Sequence, residues 1–289
     1  MKPFFYAATL LTCSGVTTIN PVVTAAPNAS MPPDAAGGEH YEARLLSAFF
    51  GLDNDLPFVA NALCFGASGM DGMPVVLSHT VSPDALEPEQ FRIITRSGER
   101  HTPKCVTLRP AYDPGERRTV LLIGEFGDAP DDPPVLVQIV GDLLSDGTPP
   151  VNFIDAETDV TPLDAGPSLV LAEAVPDSEW AQKRRGAGCP AGIKQVIRVT
   201  WDGGVKLPSG DEPGDTERTL YGVQVQRTDG SVAEIYPVAL SELGDGDNNH
   251  FLCLDTADPA VAISFPAGHL VDPNSDLNHA THIPVGRGI

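Results

Sequence analysis

The chain has 289 residues, and 39 Asp and Glu against 18 Lys and Arg give it a formal net charge of −21 at pH 7. A surface with this excess of negative charge repels nucleic-acid phosphates and anionic lipids, which argues against both as partners. The length is sufficient for two domains of ordinary size.

The first 26 residues have the pattern of an export signal. Lys2 precedes an apolar run from Phe4 to Val16, and small residues follow at Thr24 to Ala26. The run is shorter than the about 20 residues that cross a bilayer. The sequence therefore predicts a secreted or periplasmic protein whose mature chain does not insert into a membrane. Cys13 leaves a lipid-anchored form open as an alternative.

Composition divides the rest of the chain into four segments. A leader rich in Pro, Ala and Gly over 27–38 predicts disorder, and a first domain follows over 39–176. The alternation of apolar residues stops over 177–188, which indicates a linker, and a second domain follows over 189–289. Two clusters of strand-like segments favour two β-sandwich-like domains over one large sheet.

One short amino-terminal helix is predicted from Glu39 to Phe50, with Gly51 placed to end it. Almost everything afterwards predicts strands, because apolar and β-branched runs alternate with Pro, Gly, Asp and Asn. The predicted strands are Pro74–Val81, Phe91–Thr95, Cys105–Leu108, Thr119–Phe126, Val135–Val140, Ser168–Val175, Ile193–Trp201, Leu220–Gln226, Val232–Ala239, His250–Leu254 and Val261–Phe265. The predicted fold class is all-β.

Part of the first domain carries a resemblance to a known family. The run from Pro74 to Leu86, followed by Phe91-Arg92-Ile93, resembles the opening of Ig-like modules of bacterial surface-layer and adhesive proteins. The resemblance spans residues 74–141 and implies a β-sandwich that serves as a spacer or binding module, without catalytic residues. Cys105 and the Pro-rich turn from Asp128 to Pro134 depart from the pattern of those modules.

The cysteines predict two disulfides. Removal of the signal takes away Cys13 and leaves an even number in an oxidising compartment: Cys64, Cys105, Cys189 and Cys253. Three pairings are open on paper, and a division near residue 180 favours one bridge in each half, which joins Cys64 to Cys105 and Cys189 to Cys253. The sequence spacing of these cysteines does not match that of a metal site.

Oxygen-bearing side chains concentrate near the carboxyl terminus. Four of them stand at alternate positions: Asp272, Asn274, Asp276 and Asn278. This resembles the start of a calcium-binding loop, but Leu277 and Ile283 replace the glycine and the closing acid of such a loop. Asn and Asp also favour turns. A calcium site and a set of turns both remain open.

Histidines concentrate in the same region. Four of the seven lie in the last 40 residues: His250, His269, His279 and His282. Neutral imidazoles beside carboxylates are typical ligands of zinc and other transition metals. A transition-metal site is therefore an alternative to isolated surface histidines.

These patterns support three functional hypotheses. The first is an exported, disulfide-stabilised, non-catalytic β-sandwich protein with a binding or structural role and calcium as a candidate stabilising ion. The alternative is a secreted metal-dependent hydrolase or lyase, with its site in the His- and Asp-rich carboxyl-terminal loops. The third is a cofactor-free enzyme in which Asp245, Asp247 and His250 serve as acid or base.

Overall fold

The computed structural model describes residues 42–180, 188–241, 243–244 and 246–287. The predicted export signal, the leader and Cys13 lie outside the described residues. Asp245, a candidate acid or base, lies outside them too. The fold and the site are described for the remaining chain.

Strands dominate the described residues. They are β1 (Leu45–Phe49), β2 (Asp71–Leu77), β3 (Phe91–Thr95), β4 (Arg100–His101), β5 (Cys105–Thr107), β6 (Thr119–Gly124), β7 (Pro134–Ile139), β8 (Glu157–Thr161), β9 (Leu169–Ala174), β10 (Gln195–Trp201), β11 (Gly222–Gln226), β12 (Val232–Ile235), β13 (Ala239–Ser241), β14 (Asn249–Leu254), β15 (Ala260–Phe265), β16 (Thr281–Pro284) and β17 (Gly286–Arg287). The helical segments are α1 (Asp177–Trp180) and the 3₁₀ helices Phe58–Ala62, Pro83–Ala85, Pro88–Gln90 and Glu217–Leu220. The predicted all-β class is confirmed.

The amino-terminal half builds an eight-stranded sheet in the order β4-β3-β7-β8-β1-β2-β6-β5. β1 and β8 are parallel, and the other neighbours in this sheet are antiparallel. In β3, Phe91, Ile93 and Thr95 are buried while the residues between them are partly exposed. One face of the strand therefore packs on the first hydrophobic core, as period-two alternation requires.

The carboxyl-terminal half builds two smaller sheets, in the orders β13-β14-β10-β9-β17 and β12-β11-β15-β16. Their side chains meet in a second core. Trp201 of β10 contacts Phe265 of β15 with ring centroids 5.1 Å apart, and Tyr221 stands 4.6 Å from the same ring. Burial of one such side chain stabilises the fold by about 1.5–3 kcal/mol.

β9 connects the two halves of the sequence. It precedes the predicted linker at 177–188, yet it pairs antiparallel with β10, which follows that linker. The linker prediction therefore falls between two hydrogen-bonded strands of one sheet. The division into two domains remains a prediction.

The predicted helix from Glu39 to Phe50 is wrong. Leu45–Phe49 is β1, a strand hydrogen-bonded on both edges to β2 and β8. Ser47, Ala48 and Phe49 are buried one after another because both faces of this central strand are covered. A strand buried on both faces lacks alternation, so its apolar spacing imitated a helical face.

All eleven predicted strand segments contain strands; Phe91–Thr95 matches at both ends and the other ten differ at one or both ends. The short strands β4, β13 and β17 and the polar strands β8 and β16 were not predicted. β8 has the sequence Glu-Thr-Asp-Val-Thr. It was missed because its acidic residues make the alternation of Thr158 and Val160 hard to recognise as a strand pattern. Its pairing with β1 and β7 is set by tertiary contacts rather than by apolar content.

Candidate functional site

Two adjacent pockets lie beside the loops of the carboxyl-terminal half, the first where these loops meet the eight-stranded sheet and the second among the loops themselves. The first has a volume of about 150 Å³ and the second about 470 Å³. We call them the apolar pocket and the polar pocket. They share four lining residues: Gly204, Gly246, Asp247 and Pro273. A single small ligand can therefore contact both.

The apolar pocket is formed mainly by hydrocarbon side chains from the amino-terminal half. Phe49, Leu52, Leu56, Leu108 and Leu121 contribute to its wall. Leu56 also belongs to a small third core with Cys64, which the Cys64–Cys105 disulfide closes. A cavity of about 150 Å³ with apolar walls is large enough to bind benzene. The pocket therefore fits one benzene-sized apolar group.

Glycines give the pockets their shape. A Cβ on Gly203 would stand 2.8 Å from the Phe49 ring, so glycine is needed there for β10 and β1 to approach. A Cβ on Gly204 would meet no atom within 4 Å. Gly204 lines both pockets, so its lack of a side chain leaves room for a ligand to approach the backbone.

The polar pocket carries charged groups of both signs. Its lining includes the acidic residues Glu212, Asp247 and Asp272 and the basic residue Lys206. The Asp272 carboxylate accepts the N–H groups of Asn274 and Asp276, both at 2.9 Å. Burial raises the pKa of Asp272 above its usual range. The acids outnumber the base in this lining.

Asp247 stands at the boundary of the two pockets in a fixed orientation. Its Oδ1 accepts the N–H of Asn249 at 2.7 Å, and the Asn249 side chain accepts a hydrogen bond from Thr200 at 2.7 Å. Asn248 in turn donates to the Trp201 carbonyl at 2.6 Å. These bonds attach the loop to β10 and β14, so the carboxylate is positioned before any ligand arrives.

Asp202 lies directly before the glycine pair that lines the pockets. It is buried, and its Oδ1 accepts the Ser168 N–H at 2.9 Å. Burial raises the pKa of Asp202 to about 7, and nearby Asp272 adds to the increase. The Asp202 carboxyl is therefore sensitive to pH near neutrality.

The candidate calcium ligands form turns in the structure. The side-chain Oδ1 of Asn278 accepts the N–H groups of His269 and Leu270, at 2.8 and 2.9 Å. Asn274 donates to the Gly51 carbonyl at 2.8 Å. Within the described residues, no group of three His, Cys, Asp or Glu side chains is placed to hold a metal ion. A calcium site remains a prediction.

The four late histidines lie apart from the pocket linings. His250 is buried, and its Nδ1 stands 2.6 Å from the Tyr221 hydroxyl. Burial lowers the pKa of His250 to about 4, so the ring is neutral at pH 7. His269, His279 and His282 are exposed. Of the candidate site residues, the structure brings Asp247 and Asp272 together on the polar pocket.

The predicted disulfides are confirmed in both pairings. Cys64 bonds to Cys105, and Cys189 bonds to Cys253. Such bonds are typical of proteins in oxidising compartments. In the part of the chain that the structure describes, no helix has both the length and the apolar character needed to span a bilayer.

A second polar region, which sequence reasoning missed, is a buried charge cluster of Arg118, Glu173 and Arg198. Arg198 donates to Glu173 Oε1 through Nη2 at 2.5 Å, and Arg118 donates to Oε2 at 3.1 Å. Each of the three side chains is 3–4% exposed. Arg118 also donates to the Ser78 carbonyl at 2.9 Å. The cluster connects the eight-stranded sheet with β9 and β10.

The sequence held signals for both missed regions. Glu173 and Arg198 interrupt segments that were predicted as apolar strands, and a charge inside such a strand indicates a buried partner. The Gly203-Gly204 pair directly follows the predicted strand that ends at Trp201, and glycine there marks a close approach of backbone or ligand. Which groups would face them could not be inferred from one chain.

Comparison with known proteins does not identify a relative. No family model matches the chain, and no curated protein matches it. The geometry of the two pockets is therefore the basis for a functional proposal.

Proposed function

We propose that the protein is an exported, disulfide-stabilised, non-catalytic binding protein, and that the two pockets beside Asp247 are its ligand site. The observation that carries the proposal is the apolar pocket of about 150 Å³, which opens beside fixed polar groups. Apolar walls with a few positioned polar groups are typical of small-molecule sites.

Rigid walls support a binding role. The Leu56 side of the apolar pocket belongs to the small core that contains Cys64. Asp247 and Asn248, which also line this pocket, are attached to β10 and β14 by side-chain hydrogen bonds. A pocket that is formed before the ligand arrives avoids part of the entropy cost of binding.

The exported location rests on the signal-like amino terminus and on the two disulfides. The resemblance of residues 74–141 to Ig-like modules of surface proteins agrees with a binding or spacer role. The placement of the late histidines favours binding over metal-dependent hydrolysis, because none of them lines either pocket.

The test is to fill the pockets at a position where a side chain meets no atom. Gly204→Leu places hydrocarbon where an added Cβ has no neighbour within 4 Å and where the backbone φ is ordinary. We expect wild-type protein to bind 2-phenylethanol in the millimolar range and the variant to bind it at least about tenfold more weakly. Two-dimensional NMR titration measures both affinities.

Gly188→Leu is the matched control, because Gly188 has the same open surroundings and ordinary φ but lines neither pocket. Both variants should keep the wild-type free energy of unfolding within about 0.5 kcal/mol. Absence of saturable binding to the wild-type protein, or equal affinities in wild type and Gly204→Leu, would contradict the proposal.

A further inference from the structure

The charged residues around the pockets indicate the sign of the ligand's charge. Three carboxylates line the polar pocket, from Glu212, Asp247 and Asp272, against the single ammonium group of Lys206. The chain as a whole carries a formal charge of −21. Both the local lining and the overall field therefore attract cations and repel anions.

The arginine beside the apolar pocket does not reverse this balance. Arg109 also lines the apolar pocket, with its guanidinium 5.0 Å from the centroid of the Tyr112 ring in a cation–π contact that leaves its positive charge in place. Across both linings the acidic residues Glu212, Asp247 and Asp272 still outnumber the basic residues Lys206 and Arg109, and Asp247 lines both pockets. A ligand whose apolar group occupies the apolar pocket therefore extends toward a carboxylate.

The sizes of the pockets favour a small molecule over a macromolecule. Their volumes of about 150 and 470 Å³ fall together within the roughly 300–1,000 Å³ that small-molecule sites occupy. The apolar pocket has room for one ring, and the polar pocket, which shares Asp247 with it, has room for a polar group a few bonds away.

We propose that the ligand is a small organic cation, a protonated amine that carries one benzene-sized apolar group, with the ring in the apolar pocket and the ammonium group beside Asp247. This inference rests on the proposed function. It adds the charge of the ligand and names Asp247 as the residue that selects it.

Three probes of nearly equal shape test the charge of the ligand. Phenethylamine is a cation at pH 7.5, 2-phenylethanol is neutral and phenylacetate is an anion. At low salt we expect phenethylamine to bind about fivefold more tightly than 2-phenylethanol, as for one charge pair near 4 Å in water. Phenylacetate should bind more weakly than both, and added salt should reduce the differences.

Two variants locate the effect. Asp247→Asn should remove most of the preference for phenethylamine over 2-phenylethanol. Asp159→Asn removes one exposed carboxylate that lines neither pocket and should keep the preference. If Asp247→Asn does not fold, Glu212→Gln tests the same lining, and it should reduce the preference in part.

The outcomes separate the two proposals. Equal affinity for all three probes would overturn the inference about charge and leave the apolar binding site intact. An equal effect of Asp159→Asn and Asp247→Asn would overturn the role of Asp247, since the preference would then come from the overall field. If none of the three probes binds, the proposed function itself fails.

Discussion

Two polar regions of this molecule differ in the surroundings of their charged side chains. In the Arg118–Glu173–Arg198 cluster the side chains are almost fully buried, and the glutamate pairs with both arginines, while Arg198 Nη1 lies 3.9 Å from a carboxylate oxygen of Glu179. Around the two pockets, Asp247 and Asp272 stand beside open volume and beside glycines that leave room. A closed set of partners serves structure, because it leaves no place for a ligand. Fixed polar groups next to empty space serve binding.

The crowding around the charge cluster reinforces this contrast. A Cβ on Gly115, which has a φ of +86°, would overlap the Arg198 guanidinium. The same guanidinium lies 5.7 Å from the centroid of the Phe251 ring. At Gly204, by comparison, an added Cβ finds open space. The two regions therefore predict different responses to substitution.

The largest effect should come from breaking the charge cluster. Glu173→Gln removes the carboxylate that Arg118 and Arg198 share and leaves Arg198 only the partly exposed Glu179 at 3.9 Å, so we expect the free energy of unfolding to fall by about 3–5 kcal/mol. Urea unfolding measures the change. The folded fraction should bind 2-phenylethanol as the wild type does, because the cluster lines neither pocket.

Asp215→Asn is the matched control, because the Asp215–Arg218 pair has a 2.8 Å contact while its carboxylate is 83% exposed. Its removal should cost no more than about 1 kcal/mol. A loss of stability in Glu173→Gln as small as that of the control would show that the buried cluster does not hold the sheets together.

The second effect is the loss of stability on removal of a disulfide, and its consequence for ligand binding should differ between the two disulfides. Replacement of Cys64 and Cys105 by alanine should lower the free energy of unfolding by about 2–4 kcal/mol. It should also weaken the binding of 2-phenylethanol, because Leu56 of the apolar pocket packs in the same small core as Cys64. Replacement of Cys189 and Cys253 should cost similar stability without changing that affinity. Unfolding and NMR titration of both variants measure the difference.

The reverse pattern, with binding weakened only by loss of the Cys189–Cys253 bridge, would show that the small core does not shape the pocket. Equal losses of affinity in both variants would indicate general loosening of the fold. Either outcome would remove the proposed link between the Cys64–Cys105 disulfide and the ligand site.

The third effect is a pH dependence on the pocket side. Burial raises the pKa of Asp202 to about 7 from an ordinary value of 3.8. Because the folded protein holds this proton more tightly than the unfolded chain, the stability it contributes is full below about pH 4 and is lost as the pH rises through about 7. Asp202→Asn keeps an oxygen acceptor for the Ser168 N–H and removes the titration.

Relative to wild type, Asp202→Asn should therefore gain roughly 3 kcal/mol between pH 4 and pH 8. Urea unfolding at several pH values measures the difference. The lowered pKa of His250 produces the opposite slope, in which stability is lost as the pH falls toward about 4, but it is common to both proteins and cancels. Parallel stability curves for the two proteins would contradict the buried titration of Asp202.

The sequence by itself determined the features that depend on local composition. The apolar and β-branched runs predicted the strands that have a strong core face, such as Phe91–Thr95 and Ala260–Phe265. This was possible because alternation in a half-buried strand is a local property of the sequence. The two disulfide pairings followed from the position of each cysteine in its half of the chain.

Tertiary structure decided what depends on neighbours distant in sequence. β1 is a strand because β2 and β8 cover both its edges, although its spacing favours a helix. Asp247 and Asp272 were candidates for separate roles until the fold placed both on one pocket. Glu173 became the partner of two arginines only where β9 and the eight-stranded sheet meet. Volume, burial and charge pairing are properties of packed groups, so they arise only when the chain has folded.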